Sequence, residues 1–297
     1  MAEAAEAGVR SALSLYFGSL HECDEQKFDA MWNPRALLLG LAPDGSVVCR
    51  DAHEFRKGVM ARGTSTEYAR FDEVLSVHVL DVTCASAKVH VALPAAPNSP
   101  SPTNEPTLYT DWLTLLYEPS LKSWRIISKV YSSTPLTPDG TPSIGAPITP
   151  QDFQEVASAI WDGYFAAGRA CDDMAMSKVF HPYSRLTFMD GEGNLSETDS
   201  AGFCAMVKSR WSSPKHSPWA HMKDDPKARS EDTLVSIDFA GINVARVTLK
   251  IGYPPCLYHD VLLLLRVTKP INGRAGWWIV AKSSANVPFL TEYGRHI

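Results

Sequence analysis

The sequence predicts an α+β protein built from two tandem domains, each with helices packed on one face of a curved antiparallel sheet. Three observations lead to this fold class. The chain contains an internal duplication, a linker-like segment separates the two copies, and each copy shows helical patterns first and strand patterns afterwards. The length of 297 residues also suits about two domains better than one.

The duplication is visible in matching residues that recur in the same order. The tetrapeptides LYTD and LYHD each run into an apolar stretch, and their aspartates, Asp111 and Asp260, are 149 positions apart. Tyr16 and Tyr164 are 148 positions apart, and the strings WRIISK and WWIVAK are 153 apart. Matches that stay in order with small drifts in spacing are typical of an internal repeat with loop insertions. The chain is therefore expected to repeat one unit of roughly 130 residues.

The segment between the copies has the composition of a linker. Residues 132–150 read SSTPLTPDGTPSIGAPITP and are rich in proline, glycine, serine and threonine. Such a composition does not support a helix or a central strand. We therefore expect a first domain at residues 1–131 and a second at residues 151–297.

Each copy begins with helical patterns. Apolar residues recur at helical spacing at the start of both copies, at Val9, Leu13, Tyr16 and Leu20 and at Val156, Ile160 and Tyr164. A second short helix is predicted from Glu25 to Trp32 and from Asp173 to Phe180, ended by the Asn-Pro and His-Pro steps.

A third helix is predicted in both copies, after a short strand. The strands ALLLGLA and SRLTFM precede it, and turns at Asp44-Gly45 and at residues 191–193 separate them from the next segment. The helix of the first copy begins at Asp51, where D-A-H-E has the form of a capping box, and its counterpart begins near Asp199.

The remainder of each copy is predicted to be β-structure. The first copy has the strands EVLSVHVLD, ASAKVHVAL, LYTDWLTLLY and WRIISKVY, and the second has TLVSIDFAG, VARVTLKIGY, LYHDVLLLLRV and WWIVAKSS. No helical pattern lies between these strands, which excludes a doubly wound parallel sheet and favours an antiparallel meander.

Composition excludes several classes of function. The net charge is only −5, so no strong field attracts nucleic acid or anionic lipid. The longest apolar runs are far shorter than the roughly 18 residues that span a bilayer, and the N-terminus lacks a signal-peptide pattern, so we expect a cytoplasmic protein. The six cysteines form no C-x-x-C pair, and the sequence contains no phosphate-binding loop, nucleophile elbow or H-E-x-x-H, so we expect neither a metal nor a cofactor.

Two segments of the second copy carry a resemblance to a known family. Val235–Val247 (VSIDFAGINVARV) and Trp277–Lys282 (WWIVAK), in this order of elements, resemble the nuclear transport factor two-like superfamily, and within it the lumazine-binding-like and polyketide cyclase-like branch. The resemblance implies two cone-shaped α+β barrels, each enclosing a mostly apolar pocket, arranged as a pseudo-dimer within one chain and open to higher oligomers. The superfamily includes ketosteroid isomerase, scytalone dehydratase and limonene epoxide hydrolase as well as binding modules, so the fold does not name the function.

A repeated aspartate and lysine are the first candidate site residues. A hairpin turning around residues 119–121 is expected to place Lys129 opposite Asp111. In the second copy the corresponding loop is longer, but Lys282 is still expected to pair with Asp260. One interpretation is a cross-strand ion pair worth roughly 0.2 to 1 kcal/mol. The other is an acid or base within a pocket, whose pKa burial raises and the lysine lowers.

Two tyrosines and two further aromatic residues complete the predicted pockets. Tyr16 and Tyr164 fall on the inner face of the first helix of each copy, where the hydroxyl either meets a ligand or is satisfied at the edge of the core. Trp32 and Phe180 are expected as ligand-binding wall residues. Catalytic candidates are therefore Asp111 with Tyr16 and Asp260 with Tyr164.

The histidines admit more than one role. His259 adjoins Asp260, but adjacent strand residues point to opposite faces, so His259 is either a ligand-binding residue or a residue of the pseudo-dimer interface. His181 and its counterpart Asn33 precede a proline and are expected to hydrogen-bond the local backbone. The insertion Trp211–Arg229 has no equal in the first copy and is a lid over the second pocket, a loop that binds a partner, or a disordered loop.

These residues lead to two hypotheses of function. The first is a protein that binds a small organic or aromatic ligand in apolar pockets and that, if it is an enzyme, performs cofactor-free and metal-free acid–base chemistry of the isomerase, dehydratase, cyclase or epoxide hydrolase type. The alternative is a non-catalytic ligand-binding or scaffold module. The copies differ at Thr110 and His259 and at Trp112 and Val261, which allows one active and one degenerate pocket. An apolar cavity with a few polar groups favours ligand binding, and a filled one favours the scaffold.

Overall fold

The chain folds into two compact halves, the first of Met1–Pro147 with Ala240–Val244 and the second of Ile148–Phe239 with Ala245–Ile297. The computed structural model describes residues 2–42, 44–64, 71–94, 106–136, 146–189, 194–223 and 231–288. The predicted turn at residues 191–193, residues 137–145 of the predicted linker and residues 224–229 of the insertion lie outside these ranges. The pseudo-dimer arrangement stays a prediction.

The described part of the first half contains three helices, α1 (Ala2–His21), α2 (Glu25–Met31) and α3 (Ala52–Arg62). The predicted capping box is present at the start of α3. The Asp51 side chain accepts a hydrogen bond from the Glu54 backbone N–H at 2.7 Å, and the Glu54 carboxylate accepts one from the Asp51 N–H at 3.4 Å. This reciprocal arrangement satisfies two backbone donors that the first turn of a helix leaves free.

Six strands form the sheet of the first half: β1 (Trp32–Leu41), β2 (Val47–Asp51), β3 (Asp72–Val79), β4 (Cys84–Leu93), β5 (Thr107–Glu118) and β6 (Ser123–Pro135). Their order across the sheet is β2-β1-β6-β5-β4-β3. All neighbours run antiparallel except β1 and β6, which are parallel.

The helical segments of the second half are α4 (Pro150–Ser158), a π-helical stretch (Ala159–Phe165), α5 (Ala166–Ala170), α6 (Asp173–Ser177), α7 (Ser200–Lys208) and two 3₁₀ turns (Arg210–Ser212 and Ser217–Met222). A capping box of Thr149 and Asp152 begins α4, and Asp199 caps α7 as predicted. The single first helix of the prediction is thus interrupted by a π-helical stretch, which contains Tyr164.

The strands of the second half repeat the plan of the first: β7 (Phe180–Met189), β8 (Leu195–Asp199), β9 (Thr233–Phe239), β10 (Val244–Tyr253), β11 (Cys256–Ile271) and β12 (Arg274–Pro288). The order is β8-β7-β12-β11-β10-β9, with β7 parallel to β12. The predicted tandem α+β architecture is confirmed.

Two aspects of the predicted sheets are corrected. Each sheet is open, with β2 and β3 or β8 and β9 at its edges, so it is a curved sheet and not a closed barrel. Each sheet is also mixed, because the strand that follows the second helix lies parallel to the last strand of the meander. The strand patterns specify which face is buried, but they carry no signal for the direction of a neighbouring strand.

The observed ends of the second helix and the start of the linker also differ from the predicted ones. Helix α2 ends at Met31 and α6 at Ser177, while Trp32 and Phe180 begin strands. A residue before proline favours extended backbone, and here the extended conformation begins one residue earlier still. Strand β6 runs to Pro135, inside the predicted linker, because its end pairs with the first residues of β5.

The helices cover one face of each sheet and form an apolar core. The residues that the helical spacing picked out are buried in both halves: Val9, Leu13, Tyr16, Leu20, Val156, Ile160 and Tyr164. They pack against inward residues of the strands within one core cluster per half. The first helix of each half therefore carries a tyrosine into the space between helix and sheet, which positions the site.

His181 and Asn33 hold the chain at the start of the β7 and β1 strands. The His181 Nδ1 accepts a hydrogen bond from the Tyr183 backbone N–H at 3.0 Å, and the Asn33 Oδ1 accepts one from the Arg35 N–H at 2.8 Å. The predicted bond to local backbone is confirmed for both residues. Burial lowers the pKa of His181 to about 4, and protonation of Nδ1 would remove the acceptor.

We expect His181→Asn to make the protein more resistant to acid. The pKa of His181 rises from about 4 in the folded state to about 6.5 in the unfolded state, so the wild type loses stability as the pH falls from 6.5 toward 4. The difference in unfolding free energy between variant and wild type should shift by about 1 to 2 kcal/mol across this interval. Urea unfolding at several pH values measures it, with exposed His53→Asn as the control. Parallel profiles for wild type and His181→Asn would contradict the role assigned to the ring.

Candidate functional site

A buried tyrosine, aspartate and lysine meet in the first half. The Tyr16 hydroxyl of α1 donates a hydrogen bond to Asp111 Oδ2 of β5 at 2.5 Å. The Lys129 ammonium of β6 donates to the same oxygen at 2.7 Å and to the Tyr16 hydroxyl oxygen at 2.8 Å. All three side chains are buried, and Asp111 and Tyr16 are fully so. The predicted residues are therefore brought together by one helix and two adjacent strands.

The predicted strand register is wrong by two residues, although the contact forms. Asp111 pairs with Tyr131, and Lys129 pairs with Leu113. The pairing is irregular between Thr114 and Leu115, where Leu115 pairs with Ile126 but Thr114 pairs with Ser128. The strand positions farther from the turn, including Asp111, therefore have a shifted register. Lys129 stands two positions from Tyr131 and shares its face of the sheet, so it reaches the aspartate as a diagonal neighbour.

Aromatic rings surround the lysine of the first half. Its ammonium lies 5.4 to 5.6 Å from the ring centroids of Tyr16, Phe55, Tyr109 and Tyr131. Burial lowers the pKa of Lys129, while Asp111 acts to raise it. Burial, followed by the charge of Asp111, raises the pKa of Tyr16 well above its usual value, so the phenol keeps its proton.

The second half builds the same network with one additional member. Tyr164 donates to Asp260 Oδ2 at 2.7 Å, and the Lys282 ammonium lies 2.5 Å from Oδ1. The Ser284 hydroxyl also donates to Oδ1 at 2.7 Å, and Lys282 donates to the Ser284 oxygen. Asp260 pairs with Ser284 across the strands, and Lys282 is again the diagonal neighbour. Burial, followed by Asp260, raises the pKa of Tyr164 well above its usual value.

A cavity of about 340 Å³ reaches this second network. Tyr164, Asp260, Lys282 and Ser284 all line it. Its apolar walls are Met176, Leu186, Phe188, Phe203, Met206, Val207 and Ile251, and further polar walls include Arg210, Lys215, His216, Tyr253 and Tyr258. The volume and the mixture of apolar walls with a few polar groups are typical of small-molecule sites.

The residue opposite the aspartate distinguishes the two halves. In the first half Tyr131 faces Asp111, and its ring lies so close to Gly40 that a Cβ there would be 2.5 Å from it. The rings of Tyr131 and Tyr109 are 5.7 Å apart. In the second half Ser284 faces Asp260 and lines the cavity. Aromatic rings thus pack around the first network, whereas the second network faces open space.

The described part of the predicted insertion forms one wall of the cavity. Ser213, Lys215 and His216 line it, together with the preceding Arg210. The His216 Nδ1 lies 2.8 Å from the Pro254 carbonyl oxygen, and its Nε2 lies 3.5 Å from the Tyr258 hydroxyl. Burial lowers the pKa of His216. Residues 211–223 therefore have defined structure next to the cavity, in keeping with the lid alternative.

The remaining predicted ligand-binding residues lie elsewhere. Trp32 is buried and stacks on Phe28 at 5.4 Å. Phe180 is buried edge-on to Tyr164 and Phe203, behind the cavity wall. His259 follows Tyr258 and precedes Asp260, both of which line the cavity, and it is not among the lining residues.

Sequence reasoning missed several residues of the second site. Ser284 had a usable signal, because a residue two positions after Lys282 shares its face of the strand. Phe203 and Tyr253 had no such signal, since their approach to the cavity depends on how α7 and β10 pack. Arg210 directly precedes Trp211, the first residue of the predicted insertion, so it was not among the candidate cavity residues.

No group of three or more histidine, cysteine or acidic side chains in the described ranges is arranged to hold a metal ion. Among the helices that the structure describes, none is long and apolar enough to cross a membrane.

We expect Asp111→Ala to destabilise the first half by about 3 to 5 kcal/mol, because it leaves the Lys129 ammonium buried without its counter-charge. The double variant Asp111→Ala, Lys129→Met should recover part of this loss, since it removes the uncompensated charge. Urea unfolding of the wild type, both single variants and the double variant measures the coupling. A double variant no more stable than Asp111→Ala would show that the loss does not come from the lysine.

Comparisons with known proteins agree with this architecture. Residues 4–132 and 151–283 each match the model of the family described as "Putative lumazine-binding". A search of the curated proteins found no match.

Solved structures of the nuclear transport factor two-like kind are similar to one half of the chain at a time. A protein of unknown function from Silicibacter pomeroyi is 20% identical, with 45% of this chain and 98% of that chain covered and a TM-score of 0.37. A superfamily protein from Salmonella enterica is 15% identical, with 50% and 99% covered and a TM-score of 0.35. A ketosteroid isomerase-like protein from Erwinia carotovora is 14% identical, with 43% and 94% covered and a TM-score of 0.34. With both halves matched by its model, the chain belongs to the lumazine-binding-like family and contains two tandem copies of the family's domain.

Proposed function

We propose that the protein binds a small organic ligand in the cavity of its second half. The observation that carries the proposal is the continuity between an apolar cavity of about 340 Å³ and the buried network of Tyr164, Asp260, Lys282 and Ser284. Apolar walls provide most of the contact for such a ligand, and a few fixed polar groups orient it. The network supplies these groups at one place on the cavity wall.

The hydrogen bonds of the network favour binding over proton abstraction. The Asp260 carboxylate already accepts hydrogen bonds from Tyr164 and Ser284 and is paired with Lys282. A substrate proton would have to displace one of these donors before the carboxylate could act as a base. The raised pKa of Tyr164 keeps its phenol protonated, so it serves as a hydrogen-bond group with lone pairs left for a ligand donor.

The first half is proposed to have a structural role. Its Asp111 and Lys129 are enclosed by aromatic rings, and Tyr131 occupies the position that Ser284 holds in the second half. The polar network there ties α1 to the sheet. This assignment adopts the hypothesis of one functional and one degenerate pocket. The second half does not favour the scaffold alternative, because its network faces an open cavity and not a filled one.

Replacement of Ser284 tests the proposal. Ser284→Tyr introduces the ring of the first half into the cavity and should reduce ligand binding at least about 10-fold by filling the site. Ser284→Ala keeps the space and loses one hydrogen bond, so a reduction of about 3- to 10-fold is expected. The measurement is small-molecule extraction and native mass spectrometry of the full chain purified from its own host.

Tyr131→Ser is the matched control in the first half and should leave ligand binding unchanged. Near-ultraviolet circular dichroism of each variant verifies that the fold is retained. Equal ligand content in Ser284→Tyr and wild type would exclude the cavity as the site, and a wild type that carries no small molecule would count against the proposed function.

A further inference from the structure

Two basic side chains stand together on the cavity wall near the start of β11. The Arg210 guanidinium carbon lies 3.8 Å from the centroid of the Tyr253 ring and 5.9 Å from that of Tyr258. The Lys215 ammonium lies 5.5 Å from the centroid of Tyr258. Stacking on Tyr253 holds the guanidinium plane in one orientation beside the cavity.

Neither basic group is paired with a carboxylate among the described residues, although Lys215 hydrogen-bonds the side chains of Tyr258 and Cys256. Two other arginines of this half form ion pairs: Arg169 with Asp232 at 2.8 Å and Arg266 with Asp152 at 2.9 Å. Arg210 forms no ion pair in the described ranges, and its Nε is buried without a hydrogen-bond partner there. A buried donor without an acceptor is costly, so a bound molecule that supplies an acceptor would stabilise it.

The charge of the cavity wall is positive overall. Arg210, Lys215 and Lys282 contribute three cations, and Asp260 contributes one anion. Burial keeps the pKa of the Tyr253 phenol above its usual value and lowers the pKa of His216, so neither ring adds charge near neutral pH. Burial acts to lower the pKa of Lys215, but Tyr258 and Cys256 raise it by more, so the ammonium stays charged. An excess of two positive charges remains in a chain whose net charge is −5.

We propose that the ligand of this cavity is a small aromatic anion whose carboxylate is bound by Arg210 and Lys215. The inference rests on the proposed function and specifies its ligand class. A guanidinium presents a planar pair of N–H donors that matches a carboxylate. Phe203 and Tyr253 supply aromatic walls, and the Asp260 network receives a polar group at the other end of the ligand.

The spacing of the two polar ends limits the ligand to about one or two rings. Tyr258, beside the basic pair, and Asp260 are two residues apart on one strand, which corresponds to roughly 7 Å. A cavity of about 340 Å³ lies at the small end of the usual range of about 300 to 1,000 Å³.

Matched probes test the anion specificity directly. The full chain is titrated by calorimetry with 2-naphthoate, with its uncharged analogue 2-naphthamide and with 2-naphthyl phosphate. The wild type should bind 2-naphthoate at least about 10-fold more tightly than 2-naphthamide, a difference of about 1.4 kcal/mol. Arg210→Gln and Lys215→Gln should reduce this preference to about 3-fold or less, because each variant removes one of the cations that face the carboxylate.

Lys208→Gln is the matched control, because Lys208 is an exposed cation on α7 that pairs with Asp173 and does not line the cavity. It should keep the wild-type preference. Lys215 is exposed, so its replacement tests the proposal even if Arg210→Gln does not fold. Tighter binding of 2-naphthyl phosphate than of 2-naphthoate, lost in the same two variants, would support an anion site and assign the anion as a phosphate.

Equal affinity for 2-naphthoate and 2-naphthamide would overturn the anion inference and leave the proposed function intact. Binding of none of the three probes would also overturn it for aromatic anions of this size. The extraction experiment with Ser284→Tyr then decides the proposed function independently, because it does not depend on the charge of the ligand.

Discussion

A carboxylate removed from water must be matched by donors, and this requirement organises both halves of the molecule. Asp111 and Asp260 are fully buried on central strands. In each half one donor comes from the first helix and another from the adjacent strand, through Tyr16 and Lys129 or through Tyr164 and Lys282. An unmatched buried charge is far more costly than a lost apolar contact, so the network restricts where the helix can lie on the sheet.

The same network produces different surroundings because one position next to it differs. Tyr131 encloses the first network within aromatic rings, whereas Ser284 donates a hydrogen bond to the second and leaves room beside it. A change from a ring to a hydroxyl therefore alters both the space and the polarity at the carboxylate. This is how a duplicated fold can keep its internal bracing in one copy and present it to a ligand in the other.

Patterns that act locally were predictable from the sequence. The buried face of the first helix, the capping box at Asp51 and the backbone bonds of Asn33 and His181 depend on residues within a few positions of each other. The parallel strand pair, the register at Asp111 and the cavity depend on how distant elements meet. The contact of Asp111 with Lys129 was predicted despite the wrong register, because a shift of two residues leaves a side chain on the same face of its strand.

The π-helical stretch marks the place where the two copies differ in length within their first helix. Val9 and Val156, like Leu13 and Ile160, are 147 positions apart, whereas Tyr16 and Tyr164 are 148 apart, and all six are buried. One additional residue has therefore entered between Ile160 and Tyr164, within the π-helical stretch. In a continuous α-helix it would turn every later side chain by about 100° and carry the phenol away from its carboxylate. The wider turn of the π-helix accommodates the additional residue, so the side chains before and after it lie on the same face of the helix.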